Sequence, residues 1–187
     1  LGFALQNATS IDIVTVPTSV RQIGQRAFSG CSSLNNINLL RGSLLDTIGD
    51  YAFEGCQALT TITIPLNATN VGEGILSGCN SLTDITTNGN LQLYHLFGGV
   101  DYPDSYQITI EGLDYYLPDS LNHITIVEGS VTIAEKAFYA SQITNIVMPS
   151  SIKTIGAYAF YGAEQLSTIT IPQSNNLEVI GEYAFSG

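Results

Sequence analysis

The chain has 187 residues, an apolar fraction of 44% and a formal net charge of −11, from sixteen acidic residues against five Lys and Arg. A surface with that balance repels phosphate backbones and anionic headgroups, which excludes nucleic-acid binding and electrostatic docking on a membrane. No apolar run approaches the ~18 residues of a transmembrane helix, and the low charged fraction, with abundant Thr, Ser, Asn and Gly, suits a β-rich protein.

Two phrases alternate along the chain. The first, Ile11 to Pro17, alternates apolar and polar residues over Val14-Thr15-Val16 and ends on Pro. That is the pattern of a short strand with one buried face, and Pro stops it because it cannot donate to a ladder. The second, Ile23-Gly24-Gln25-Arg26-Ala27-Phe28-Ser29-Gly30-Cys31, spaces Ile23, Ala27 and Phe28 for one face of a single helical or 3₁₀ turn. The strand phrase returns at Leu34 to Leu39 and the turn phrase at Ile48 to Cys56. Leu59-Thr60-Thr61-Ile62-Thr63-Ile64-Pro65 and Val71 to Cys79 make the next pair. A fourth strand phrase, Leu82 to Ile85, is followed by Leu91 to Gly99 without a recognisable turn phrase.

The region 100–120 breaks the repeat. It holds Tyr102, Tyr106, Tyr115 and Tyr116 with Asp101, Asp104, Asp114 and Asp119. Its centre predicts a hairpin turning at Glu111-Gly112. The repeat resumes with the strand around His123 to Thr125, Ile133 to Phe138, Ile143 to Pro149, Ile155 to Gly162, Leu166 to Pro172 and Ile180 to Gly187. Seven strand phrases and six turn phrases at steps of roughly 22 to 25 residues define a solenoid, because one such unit buries too little apolar surface to fold alone. Residues 1–187 are therefore expected to form a single solenoid fragment of about seven repeats, an α+β repeat with parallel strands and short helical turns, interrupted by the insert. The first complete repeat starts near Ile11, and both ends look cut from a longer protein.

The pairing of L-x-x-I-x-I-P at Leu59 to Pro65 with I-G-x-x-A-F-x-G-C at Ile23 to Cys31 resembles the leucine-rich-repeat-like bacterial surface antigens of the BspA type. The likeness covers about residues 11–99 and 121–187. It departs from ordinary leucine-rich repeats, whose closing Asn is replaced by Pro65, Pro149 and Pro172. The resemblance implies a curved right-handed solenoid, secreted or exposed on a microbial cell, in adhesion or recognition of host or microbial surface proteins or glycans. It supplies no catalytic residues.

Stacked strands would align outward residues in columns. One is Thr15, Asn38, Thr63, Thr86, Thr125, Val147 and Thr170; its neighbour is Ile13, Asn36, Thr61, Asp84, His123, Asn145 and Thr168. Thr63, Thr86, Thr125 and His123 on this face, and Tyr102, Tyr106, Tyr115 and Tyr116 in the insert, are the candidate binding residues. The hydroxyl platform suits an extended peptide or glycan, while Thr beside Thr also supports a sheet without any ligand. Tyr offers a broad apolar face with a polar tip, and a hairpin covering its own apolar side uses Tyr equally well.

Cys31, Cys56 and Cys79 recur at one repeat position, where Ala163 also stands, and are expected to be free buried thiols. Neither His95 nor His123 has finger-like spacing to them, so no zinc site follows. Asp101 and Asp104 lack the further oxygen ligands of a calcium loop. No G-x-S-x-G, H-E-x-x-H or phosphate-binding loop occurs, and the glycines are attributed to the repeat's turns. The chain is thus expected to bind without cofactor or catalysis. Asn7-Ala8-Thr9 and Asn67-Ala68-Thr69 match a glycosylation acceptor by chance in a Thr-rich sequence. The alternative role is a passive spacer or stalk of a larger surface protein.

Overall fold

The computed structural model describes residues 4–39 and 42–187. Along it each unit contributes a strand, a connection, a two-residue strand and a turn. The elements run β1 (Ile13–Val16), β2 (Gln22–Ile23), β3 (Asn36–Leu39), β4 (Thr47–Ile48), β5 (Thr61–Thr63), β6 (Asn70–Val71) and β7 (Asp84–Thr87). They continue as α1 (Leu93–Phe97), β8 (Ser105–Ile110), β9 (Leu113–Pro118), β10 (His123–Ile126), β11 (Thr132–Ile133), β12 (Asn145–Val147), β13 (Thr154–Ile155), β14 (Thr168–Thr170) and β15 (Val179–Ile180). We number units 1 to 7 by the strands β1, β3, β5, β7, β10, β12 and β14. The chain winds as the parallel solenoid that the repeats predict, with the right hand that the family resemblance implies.

The strands β5, β7, β10, β12 and β14 form one parallel sheet in chain order, and β1 pairs with β3 in another. No ladder bond joins β3 to β5 among the described residues, so the outer face is built of two sheets. The short strands form two further ladders, β2-β4-β6 and β11-β13-β15. Alternation decides which side chains enter the core: Ile37, Ile62, Ile85, Ile124 and Ile146 are buried, while the residues beside them point out.

Across the core stand the Phe side chains of the turn phrase. Phe28 and Phe53 stack with centroids 5.5 Å apart, Phe138 and Phe160 at 5.1 Å, and Phe160 and Phe185 at 5.0 Å. The turn phrase itself is a run of i to i+3 hydrogen bonds, as in Ala27 N to Gly24 O, Ser29 N to Arg26 O and Cys31 N to Phe28 O. It has 3₁₀ bond spacing, but the chain passes through the left-handed region at Arg26, Tyr51, Lys136, Tyr158 and Tyr183, with φ from 53° to 56°.

The glycines serve two purposes, of which the sequence suggested one. Gly30, Gly55 and Gly78 hold positive φ in the turns. The Gly after each Ile is different: a Cβ on Gly156 would lie 2.6 Å from Glu135 N, and one on Gly72 2.5 Å from Asp50 N. Glycine is present there because backbone stacks directly on backbone. Ala134 takes this position in unit 5, above unit 4, whose chain follows another path.

Two turn layers escape the repeat pattern. Leu5 N donates to Ala27 O and Asn7 N to Ser29 O, so Ala4-Leu5 already forms a layer beneath unit 1. In unit 4, where no turn phrase was recognised, α1 fills the place: Leu76 N donates to Leu96 O, and Leu93, Tyr94, Leu96 and Phe97 are buried. The letters differ from Ile-Gly-x-x-Ala-Phe, but the apolar side chains enter the same column.

Candidate functional site

The register confirms the outward columns at the centre of the sheet. Thr63 is opposite Thr86, Thr86 opposite Thr125, and Thr125 opposite Val147. In the neighbouring column His123 stands between Asp84 and Asn145. His123 Nε2 lies 3.3 Å from Thr125 Oγ1, and Thr83 Oγ1 donates to Asp84 Oδ2 at 2.6 Å.

Unit 4 gives this face relief. In regular units the residue after the short-strand Ile bonds to the preceding unit, as in Gly49 N to Ile23 O, Gly72 N to Ile48 O and Gly156 N to Ile133 O. The corresponding bond from Ala134 N goes to Gly89 O at 2.7 Å. Gly89 therefore occupies the short-strand Ile position only two residues beyond the end of β7. The coil that other units place between the two strands is absent. Asn88 is buried and its Nδ2 donates to Ala68 O, tying the shortcut to unit 3.

The coils of units 3 and 5 are left facing each other. They pinch together where a Cβ on Gly129 would lie 2.8 Å from Leu66 Cδ2. Beside the pinch is a cleft of about 420 Å³, with Thr63, Thr86 and Thr125 along it and Leu39, Pro65, Leu66, Ile126 and Val127 among its walls. Glu128 is exposed at its rim and accepts from Ser150 Oγ at 3.3 Å. Three of the four strand-face candidates thus line one cavity, and His123 touches the third. The cleft itself was not read from the sequence; the available signal was the short step from Thr87 to Gly89.

The insert forms the predicted hairpin. β8 and β9 pair antiparallel with Ile110 opposite Leu113, and both turn residues have positive φ, 54° at Glu111 and 82° at Gly112, as a two-residue type I′ turn requires. Its tyrosines are engaged by the solenoid. Tyr102 OH donates to Glu54 Oε1 at 3.2 Å, with burial and the adjacent carboxylate raising its pKa. Tyr106 OH accepts from Gln142 N at 2.8 Å, and burial pushes its pKa to about 12. Tyr115 is buried against Tyr94 at 4.8 Å, and burial raises its pKa as well. Tyr116 is half-buried opposite Gln107, its backbone N donating to Gly98 O. Lys136 Nζ pairs with Glu111 at the hairpin tip, 2.5 Å from Oε1.

Insert and cleft lie at opposite ends of the strands. The hairpin packs on residues that precede strands: Ser120 Oγ donates to Asn80 O and Leu82 O, and Tyr106 meets Gln142. The cleft is made by residues that follow strands. The structure does not bring the two candidate sets together.

The thiols of Cys31, Cys56 and Cys79 are free and buried, and each donates to the unit before it: to Leu5 O, Phe28 O and Phe53 O at 3.1, 3.3 and 3.2 Å. Burial pushes the Cys56 thiol to about 12, with Cys31 adding to the shift, and burial also raises the Cys79 thiol well above its ordinary value. In unit 5 Ser141 takes the same position and donates to Phe138 O of its own unit. His95 borders a second hollow of about 330 Å³ with Glu73, Leu113 and Tyr115, where no Ser or Cys side chain is present among the described residues. Among the described residues no three His, Cys, Asp or Glu side chains converge as a metal site, and no helix is long and apolar enough to cross a membrane. A second aromatic surface was missed: Tyr139 stacks on Tyr161 at 5.3 Å and Tyr158 on Tyr183 at 5.4 Å. Its signal was Tyr at the same position of successive turn phrases.

Comparison with known proteins agrees with this geometry. The model of the BspA type leucine rich repeat region matches residues 2–97 and 100–187, in six copies. Among solved structures, a leucine-rich repeat protein from Eubacterium ventriosum is similar with 27% identity and a TM-score of 0.61, over 95% of this chain and 43% of that one. The leucine rich repeat protein of T. pallidum is similar at 25% identity and a TM-score of 0.47, over 96% of this chain and 64% of its own. A leucine rich cell surface protein from Faecalibacterium prausnitzii shares 27% identity at a TM-score of 0.43, over 90% of this chain and 43% of its own. The chain thus spans less than two thirds of the length of each of these proteins. No curated protein matches it. With both phrases, their stacking and the family model in agreement over nearly the whole length, the chain belongs to the BspA-type leucine-rich repeat family.

Proposed function

We propose that the chain is a non-catalytic recognition module of a bacterial surface protein, holding a protein or glycan partner on its outward strand face outside the cell. The observation that carries this reading is the in-register row Thr63, Thr86 and Thr125 lining a cleft. Three hydroxyls on neighbouring strands both donate and accept hydrogen bonds, and a concave, partly apolar setting lets them fix a ligand's orientation. Membership of the BspA-type leucine-rich repeat family gives the extracellular setting its support.

The test is binding of the 187-residue chain to immobilised matrix proteins, microbial surface proteins and glycans. Replacing Thr63, Thr86 and Thr125 together by Ala is expected to weaken binding by about tenfold. Replacing Tyr102, Tyr106, Tyr115 and Tyr116 together by Ala is the control for the other end of the strands. Binding that survives the threonine substitutions and falls with the tyrosine ones moves the site to the hairpin.

A second reading, a spacer whose recognition modules lie elsewhere, draws on the hydrogen bonds that commit Tyr102 and Tyr106 to the solenoid. It requires that the isolated chain bind nothing on a panel that the full-length protein recognises.

A further inference from the structure

We propose that the unit 4 cleft binds a basic, extended polypeptide segment of a partner protein, with an aliphatic side chain entering the space left by the missing coil. This rests on the strand face being the recognition surface and adds the chemistry of what it takes. The first argument is shape. The coils on either side are held in place, through Val127 N to Thr87 O at 2.9 Å and Asn67 Nδ2 to Ser43 O at 3.2 Å, so the gap is built into the fold. Its volume of about 420 Å³ falls in the roughly 300 to 1,000 Å³ of ligand pockets.

The second argument is the lining. Pro65, Leu66 and Val127 supply aliphatic walls beside the threonine hydroxyls, a combination that suits a peptide's alternation of apolar side chain and polar backbone. From Thr63 to Thr125 is two rungs, roughly 10 Å at the usual strand separation, or about three residues of extended chain. Among the described residues no aromatic side chain lines the cleft, so these offer no flat apolar face on which a sugar ring would stack.

The third argument is charge. Asp84 lies two residues before Thr86 on the same face, and Glu128 stands at the opposite rim, so carboxylates flank the threonine row on both sides. Among the described residues no Lys or Arg lines the cleft, and Arg41, beside the lining residue Gly42, lies outside them; Arg26, Lys136 and Lys153 are paired with Glu54, Glu111 and Glu178. With a net charge of −11 behind it, the site draws in a segment carrying Lys or Arg beside its aliphatic residue.

Calorimetric titration of the 187-residue chain tests this, using a short blocked peptide of alternating Lys and Val, its Glu and Val counterpart, and a linear neutral oligosaccharide. The Lys-Val peptide is expected to bind, more weakly as salt rises, and the Glu-Val peptide to bind at least about tenfold less well. Thr86→Trp fills the cleft from an outward position and should lower affinity by about tenfold or more, and Glu128→Lys by severalfold, with circular dichroism unchanged. The inference is overturned if the Lys-Val peptide does not bind, if both peptides bind alike, if Thr86→Trp leaves affinity unchanged, or if the oligosaccharide binds instead. Should the triple threonine variant lose its panel ligand while neither peptide binds, the strand-face reading stands and the basic peptide falls.

Discussion

Unit 2 and unit 4 occupy equivalent layers of one solenoid, yet one repeats the pattern and the other departs from it at both ends of its strand. Unit 2 stacks Phe53 under Phe28, bonds Cys56 back to Phe28 O and sets Gly49 on the backbone of unit 1. Unit 4 omits the coil after its strand, substitutes α1 for the turn phrase and inserts a hairpin before the next strand. The layers above and below unit 4 remain in register, with Thr86 between Thr63 and Thr125. A solenoid tolerates this because each unit answers only to its neighbours. Irregularity can therefore concentrate in one layer, where removing residues opens a cleft and adding them builds a brace.

The strongest way to break that comparison is at the regular layer. Phe53 is fully buried between neighbouring units, so Phe53→Ala removes a ring from a site that cannot collapse. Its expected cost is about 3 to 5 kcal/mol by chemical denaturation. A loss under about 1 kcal/mol would mean that the regular column is not the source of stability.

A sharper version uses one repeat position with two kinds of neighbour. Gly156→Ala sets a Cβ against Glu135 N, Ala134 C and Ile133 O, all backbone atoms within 3 Å. This should cost about 1 to 3 kcal/mol. Ala134→Gly, at the same position over unit 4, should cost about 1 kcal/mol or less, chiefly through added freedom of the unfolded chain. Equal and small effects at both positions would show that unit 4 gives its neighbour no more room than a regular unit does.

The regular layers were legible because their rules are local. Alternation set Thr63, Thr86 and Thr125 outward and Ile62, Ile85 and Ile124 inward, and a two-residue Glu111-Gly112 step between two apolar runs marked the hairpin turn. Unit 4 was less legible for physical reasons. Leu93, Tyr94, Leu96 and Phe97 reach the core from an α-helix, whose spacing differs from the turn phrase they replace. Ala4-Leu5 carries Leu where the phrase has Phe, so its layer was passed over. The cleft is made by residues that are not there, and a pattern search aligns what is present. The tyrosines of the insert were visible, but their partners Glu54, Gln142 and Tyr94 are brought to them by stacking across units.

The smallest expected effect concerns that brace. Tyr106→Phe removes the acceptor of Gln142 N, at a cost of about 1 kcal/mol. The substitution also has a pH signature, because burial holds the Tyr106 pKa at about 12 against an ordinary 10.0. Folding favours the neutral phenol, so its contribution is complete below the unfolded value and is lost as pH rises through the folded one. The wild-type chain should release the hairpin progressively between these two values, and hydrogen exchange of residues 105–118 should accelerate there. Cys56 titrates in the same range, so the difference between wild type and Tyr106→Phe isolates the phenol. Tyrosinate absorbance should lose one component that titrates near 12 in the variant. If the alkaline acceleration persists unchanged in Tyr106→Phe, another group fastens the hairpin, and the nearest alternatives are Tyr115 against Tyr94 and Tyr102 on Glu54.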